Sequence, residues 1–91
     1  MNYTFRGLPQ FWRSFYALPN AKKELVRNVW KIFKQNPFDT RLGVHKIHKL
    51  SARYKRTISS VVIEGDLRVV FYVEGNTIVT ADVGTHDIYK G

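Results

Sequence analysis

The sequence contains no cysteine, which excludes a disulfide framework and any metal site built on thiolates. A reducing compartment is compatible with this absence but is not required by it. No apolar run approaches the roughly 18–20 residues that a membrane-spanning helix needs. The first residues also lack the basic start and the apolar centre of a signal peptide. We therefore expect a soluble, cytoplasmic protein with no membrane partner.

Acidic residues are scarce. Seven Asp and Glu stand against fifteen Lys and Arg in 91 residues, which gives a formal net charge of +8. Such an excess attracts polyanions and raises the rate of encounter with them. Nucleic acid or an acidic protein is therefore the expected partner, and the alternative is a protein that is merely basic. The 44% of apolar residues can fill one small core, so we expect a single domain over residues 1–91.

Two amphipathic helices are predicted after a short N-terminal strand at residues 3–5. The first helix begins at Pro9, which suits a first helical turn, and ends before Pro19. The second ends at Asn36-Pro37 and carries a basic stripe opposite its apolar stripe. The residues predicted to face the core from this hairpin are Phe11, Phe15, Leu18, Ala21, Leu25, Val29, Ile32 and Phe33.

Three strands are predicted in the last part of the chain, at residues 56–63, 67–74 and 77–83. Their residues alternate with period two, and glycine turns join them into an antiparallel meander. Residues 38–53 are predicted to be irregular and basic, with an extended segment between Val44 and Leu50. The predicted fold class is α+β: an N-terminal strand, a helical hairpin, and a three-stranded antiparallel meander that completes one twisted sheet.

Alternation along the strand at 67–74 separates two faces. Arg68 lies on one face with Val70 and Tyr72, and we expect this face to point away from the helices and to be open to solvent or a ligand. The other face is wholly apolar and is the better core face. It consists of Leu67, Val69, Phe71 and Val73.

The last quarter of the chain is predicted to bring Arg68, His86 and Tyr89 to a common edge. A planar guanidinium can hold two phosphate oxygens, and a histidine can transfer protons near neutral pH. On so basic a chain, these three side chains suggest a site for RNA. The alternatives are a surface arginine paired with Glu64 or Asp66, a histidine bonded to a turn backbone, and a tyrosine that anchors the C-terminus.

Four pieces of the sequence together resemble the RelE/ParE superfamily of small bacterial and archaeal toxins. They are the hairpin that ends in Asn36-Pro37, the basic stretch at residues 48–50, the strand Asp66-Leu-Arg-Val-Val-Phe, and the closing Gly84-Thr-His-Asp-Ile-Tyr. The resemblance spans nearly the whole chain. It implies a toxin paired with an antitoxin. In the RelE branch such a toxin enters the decoding site of the ribosome and cuts messenger RNA, whereas in the ParE branch it poisons DNA gyrase.

Likeness to the RNA-cutting members implies a role for each candidate residue. The 2′-hydroxyl would attack the adjacent phosphate without a metal or other cofactor. Arg68 would clamp the phosphate, His86 would transfer protons, Tyr89 would stack on a base or orient a hydroxyl, and His48 would be a second acid or base. The residues predicted to contact RNA are Lys46, Lys49, Arg53, Lys55, Lys23, Arg27, Lys31 and Lys34; the last four could instead form a solvated helix face.

Two features depart from the pattern of the RNA-cutting members. The strand before the arginine strand has no histidine, and Asp82 stands where others have a basic residue. Asp82 would disfavour a phosphate unless it orients His86. A ParE-like gyrase poison and a catalytically weak RNA-binding relative therefore stay open. A metal at His45 and His48 is disfavoured because residues three apart in an extended segment point to opposite sides.

The resemblance and the charge together imply the partners. We expect an acidic, partly helical antitoxin, and the ribosome with its messenger RNA. A heterotetramer with the antitoxin is one assembly that the resemblance allows.

Overall fold

Five strands and three helices make up the part of the chain that the computed structural model describes, which is residues 3–85 and Ile88. A 3-10 turn at Thr40–Leu42 lies between the second helix and the second strand. The elements in chain order are β1 (Thr4–Gly7), α1 (Pro9–Ala17), α2 (Asn20–Gln35), β2 (His45–Lys46), α3 (His48–Tyr54), β3 (Ser59–Glu64), β4 (Leu67–Glu74) and β5 (Thr77–Gly84).

The strands form one five-stranded sheet in the order β1-β5-β4-β3-β2. β1 runs parallel to β5, and the other neighbours are antiparallel. The α+β fold predicted from the sequence is confirmed, with the N-terminal strand at one edge of the meander. Among the described residues, no helix is both long and apolar enough to span a bilayer.

α1 and α2 pack on one face of the sheet. Phe11 and Phe15 of α1 contact Leu67 and Val69 of β4, and the ring of Phe33 in α2 lies edge-on to Phe71, with 5.0 Å between the ring centroids. The predicted α1 stripe is confirmed, whereas the predicted α2 stripe is partly wrong. Ala21 is exposed, and Val26 is buried in its place with Phe33.

The helix α3 corrects the expectation that residues 38–53 are irregular or extended. Leu50 is the buried residue of α3, and Ile47 and Tyr54 pack beside it. Ser51 fixes the helix to the start of β3, since its hydroxyl donates to the Ile47 carbonyl at 2.9 Å and accepts from the Ile58 N–H at 2.9 Å. These non-local contacts favour the helix, while its many cations obscure the apolar period in the sequence.

α3 covers part of the second face of the sheet, which we expected to be open. Val70 and Tyr72 are buried there with Leu50 and Ile58. Val73 was predicted to be in the core but is 42% exposed. Val73 is exposed because β3 is shorter than β4. β3 begins opposite Phe71, so the end of β4 has no β3 residue beside it.

Asp39 holds the turn that precedes β2. Its Oδ1 accepts hydrogen bonds from the Arg41 backbone N–H at 2.9 Å and Nε at 3.0 Å, and its Oδ2 accepts one from Arg41 Nη2 at 2.9 Å. The bonds from the Arg41 side chain, and then the bond from its backbone, lower the pKa of Asp39 from 3.8 to about 2. Because the folded pKa is depressed, this stabilisation is present above the ordinary pKa and is lost as the pH falls toward 2.

We expect the Asp39 carboxyl carbon to titrate in NMR with a midpoint near pH 2 in the native protein. In Arg41→Ala the midpoint should rise toward the ordinary value of 3.8. A midpoint that is the same in both proteins would contradict the role of Arg41. The pKa of Glu74 is lowered by its hydrogen bond to Arg56 instead, so its titration should not change and is the internal control.

Candidate functional site

Arg68 lies in a row of residues that crosses three strands. It pairs with Val62 of β3 on one side and with Gly84 of β5 on the other. Arg68, Val70 and Tyr72 are every second residue of β4, so they lie on one face of the sheet. α3 covers Val70 and Tyr72 on this face. This face is opposite α1 and α2, as the sequence predicted.

The guanidinium of Arg68 is fixed on one side and unsatisfied on the other. Nη1 donates to the carbonyl of Gly65 in the β3–β4 turn and, at 3.4 Å, to that of Leu67. Nε is buried and has no hydrogen-bond partner within the described part of the chain. The Nε–H and Nη2–H groups of arginine form a fork that matches two phosphate oxygens. An anion that displaces the groups covering Nε could satisfy this edge of the guanidinium.

A tight C-terminal turn follows the strand position opposite Arg68. Gly84 leaves the space that Ile88 fills, because a Cβ on Gly84 would lie 2.6 Å from Ile88 Cγ2. The Ile88 N–H donates to the Thr85 carbonyl at 3.0 Å, and the Ile88 carbonyl accepts from Arg53 Nη2 at 3.4 Å. The turn therefore links β5 to α3 beside the Arg68 row. His86 and Tyr89, the other predicted members of the site, lie outside the described residues.

α3 and its C-terminal cap carry four of the predicted site residues on the Arg68 face. His48 and Lys49 are exposed in its first turn, and Arg53 lies in its last turn. Lys55 caps the helix in the left-handed region with φ of 57°, a position that glycine usually occupies. Lys55 therefore adds an exposed positive charge two residues after Arg53.

The two residues of β2 lie on opposite faces of the sheet. Lys46 pairs with Ser59, in register with Phe71 on the α1/α2 face, so it projects away from Arg68. His45 pairs with Ser60 and lies on the Arg68 face. Its Nε2 is 3.3 Å from Ser60 Oγ, and its Nδ1 is 3.2 Å from the Gly43 carbonyl. The sequence interpretation considered His45 only as a metal ligand, because the pairing with β3 that places it on this face is not visible in the sequence.

His45 and His48 do not continue one extended segment, because His48 begins α3. In the part of the chain that the structure describes, no group of three or more His, Asp or Glu side chains could hold a metal ion.

The predicted cations of α2 lie on the other side of the sheet from α3. They are Lys23, Arg27, Lys31 and Lys34. The Arg27 guanidinium is 3.3 Å from Glu24 and 5.6 Å from the centroid of the Phe15 ring. Lys23 Nζ is 6.0 Å from the centroid of the Tyr16 ring. The predicted RNA-binding residues therefore do not form one surface.

An apolar groove of about 300 Å³ lies between α1 and α2, beside the cations of α2. Trp12 and Tyr16 line it with stacked rings and are 44% and 65% exposed. Trp30 and the stem of Arg27 form the α2 wall. Exposed aromatic area of this kind, rimmed by charge, is typical of a protein interaction surface.

Asp82, the acidic residue near the closing motif, is directed toward α1. Its Oδ1 accepts a hydrogen bond from Ser14 Oγ at 2.6 Å and one from the Val83 N–H at 2.8 Å. Its carboxylate therefore joins β5 to the helical hairpin.

Comparison with known proteins identifies the fold. No protein-family profile and no curated protein sequence matches the chain. Among solved structures, the archaeal RelE–RelB complex from Pyrococcus horikoshii OT3 matches with a TM-score of 0.70 and 17% identity over 93% of this chain and 96% of that chain. The E. coli DinJ–YafQ toxin–antitoxin complex matches with a TM-score of 0.76 and 10% identity over 100% of both chains. The YoeB dimer from Staphylococcus aureus matches with a TM-score of 0.66 and 18% identity over 94% and 99%.

Similarity at these identities establishes the fold, which is that of the RelE, YafQ and YoeB toxins of toxin–antitoxin systems. The fold that the resemblance implied is therefore confirmed. Coverage is almost complete on both sides, so the similarity extends over nearly the whole of this chain.

Proposed function

We propose that this chain is the toxin of a toxin–antitoxin pair and cleaves messenger RNA on the ribosome. The observation that carries this proposal is the guanidinium of Arg68, with Nη1 fixed by a turn backbone and Nε buried without a partner among the described residues. Its strand neighbour Gly84 leads directly into the closing motif that contains His86. The toxin fold and the net charge of +8 support the same conclusion.

The proposed reaction is an in-line attack by the 2′-hydroxyl on the adjacent phosphate. The 2′-oxygen loses its proton and bonds to phosphorus, and the 5′-oxygen departs and takes up a proton, which leaves a cyclic phosphate. Arg68 stabilises the charge on the phosphorane. His86 and His48 are the proposed proton-transfer groups, and Tyr89 stacks on a base or orients a hydroxyl. These side chains supply every proton and charge that the reaction needs, so the proposal includes no cofactor.

Cations of α3 are proposed to hold the RNA backbone on the Arg68 face. Lys49, Arg53 and Lys55 are exposed there, and each can neutralise one phosphate. Binding through such contacts weakens steeply as salt rises, because counterions are released from the RNA. The four cations of α2 face the other way and contact either ribosomal RNA or a protein partner.

Mapping the 5′ ends of transcripts after induction of the protein tests this function. We expect cuts in register with the reading frame, and the same cuts when purified protein is added to programmed ribosomes. Messages that stay intact at every codon would refute the proposal. DNA damage without phased cuts would instead support a gyrase poison of the ParE type.

The groove between α1 and α2 is proposed as a docking surface of the antitoxin. Its aromatic walls suit the apolar face of an amphipathic helix, and Lys23 and Arg27 suit acidic side chains on that helix. RelE and YafQ were each crystallised in a complex with a partner, RelB and DinJ respectively. This supports a protein partner for a chain of the same fold.

Charge reversal at Arg27 tests the docking surface. We expect Arg27→Glu to weaken binding of the acidic antitoxin by about tenfold or more, since a cation beside the groove becomes a repelling anion. Arg13→Glu is the matched control, because it changes the net charge equally on α1 but outside the groove lining. Titration calorimetry measures both. Equal losses in the two variants would show that only net charge matters.

A further inference from the structure

We infer that a cleft at the far end of β4 binds an RNA base next to the cleaved segment, an inference that rests on the proposed function. The cleft has a volume of about 330 Å³. The side chains that matter for the inference are Phe38, Lys46, Thr57, Ser59 and Tyr72, all of which line it. Of these residues only Lys46 was predicted to contact RNA, and no base was assigned to this place.

The cleft exists because neighbouring strands differ in length. β3 begins at Ser59, opposite Phe71, whereas β4 continues to Glu74. β2 has only two residues and does not extend the edge. The last residues of β4 therefore have no strand beside them on this side, and Phe38 borders the gap.

Phe38 and Tyr72 contribute aromatic rings to the lining of the cleft. Phe38 is 50% exposed, yet its ring is held by Tyr3 and Phe71, with centroids 6.5 Å and 6.3 Å away. Tyr72 is buried, and the Arg56 guanidinium, which pairs with Glu74 at 2.6 Å, lies 4.3 Å from its ring centroid, so Phe38 is the ring that offers a face to a base. An exposed ring that is supported from behind provides a face on which a base can stack.

The polar groups of the cleft suit a nucleotide. Lys46 is an exposed cation that can pair with a phosphate as a point charge. The hydroxyls of Thr57 and Ser59 can each donate and accept a hydrogen bond, as a base edge or a 2′-hydroxyl requires. The lining contains no acidic side chain among the described residues. Stacking surface, cation and hydroxyls together favour a nucleotide over an acidic helix, which needs a longer apolar surface.

The cleft lies within reach of RNA bound at Arg68. Tyr72 is four residues further along β4, or about 13 Å at a rise of about 3.3 Å per residue. Because Lys46 and Ser59 lie on the opposite face, RNA that runs from Arg68 to the cleft passes around β2, which is the edge strand of the sheet. Lys46, which does not share a face with Arg68, would then contact the backbone beyond the cleaved phosphate.

Titration with adenosine 5′-monophosphate, followed by amide shifts in NMR, tests the cleft. We expect shifts at Phe38, Lys46 and Ser59 that saturate with nucleotide. Phe38→Leu retains an apolar side chain but removes the ring face, and we expect it to weaken the dissociation constant about fivefold or more. Phe38→Tyr is the matched control, because it keeps the ring face and should therefore keep the affinity that Phe38→Leu loses.

Three outcomes would overturn the inference: shifts confined to Arg68 and α3, no shifts at all, or an unchanged affinity in Phe38→Leu. Shifts in the cleft on addition of an acidic helical peptide but not of the nucleotide would also overturn it. Nucleotide binding needs no cleavage, so the assay on programmed ribosomes tests the proposed function separately. A nucleotide that binds in the cleft of a protein that leaves messages intact would support the cleft and refute the nuclease.

Discussion

Replacement of Arg68 by alanine is expected to slow message cleavage by about 10²–10³-fold, the usual cost of losing one group that stabilises charge in the transition state. The guanidinium is oriented before RNA arrives, because the Gly65 carbonyl holds Nη1. Single-turnover cleavage on programmed ribosomes measures the effect on the chemical step. The fold should be retained, since Arg68 contributes to the sheet through its backbone.

Arg68→Lys separates a forked contact from a simple positive charge. Lysine keeps the charge but has no planar fork, so we expect it to recover little of the lost rate. Arg13→Ala is the control for net charge, since Arg13 lies on α1 and its guanidinium bonds to Gln10. If Arg13→Ala slows cleavage as much as Arg68→Ala, the guanidinium at 68 contributes only to overall charge.

The fold could be predicted from the sequence where elements are long. β4 has eight residues, so alternation correctly predicted that Arg68 lies on the sheet face that points away from α1 and α2. Pro9, Pro19 and Asn36-Pro37 marked the limits of α1 and α2 to within about a residue. Local signals of this kind depend only on near neighbours in the chain.

The rest of the candidate site depends on non-local contacts that a sequence pattern does not contain. α3 forms where Ser51 meets the Ile58 N–H, and its seven residues are too few to show a clear period. β2 has two residues, so its pairing with Ser59 and Ser60, rather than alternation, decides that His45 and not Lys46 shares the face of Arg68. The contact between Arg68 and the Gly65 carbonyl likewise arises from the geometry of one turn.

Gly84→Ala is expected to damage both stability and activity, because Ile88 occupies the space where the new methyl group must go. The distance from that Cβ to Ile88 Cγ2 would be 2.6 Å, so the C-terminal turn has to move. Overpacking of this kind costs about 1–3 kcal/mol. Gly84 is two residues before His86 in the sequence, so we expect cleavage to fall by more than the loss of folded protein explains.

A double-mutant cycle with Ile88→Ala identifies the cause. Ile88→Ala alone removes a partly buried apolar contact and should be mildly destabilising. In the double variant the two methyl groups no longer collide, so the loss in free energy of unfolding should be smaller than the sum of the single losses. Urea unfolding and single-turnover cleavage measure the two effects.

Gly75→Ala is the control. Its cost comes from a φ of 62° with open space around it, so Ile88→Ala should not rescue it. Additive losses for Gly84→Ala and Ile88→Ala would show that the new methyl group does not collide with Ile88.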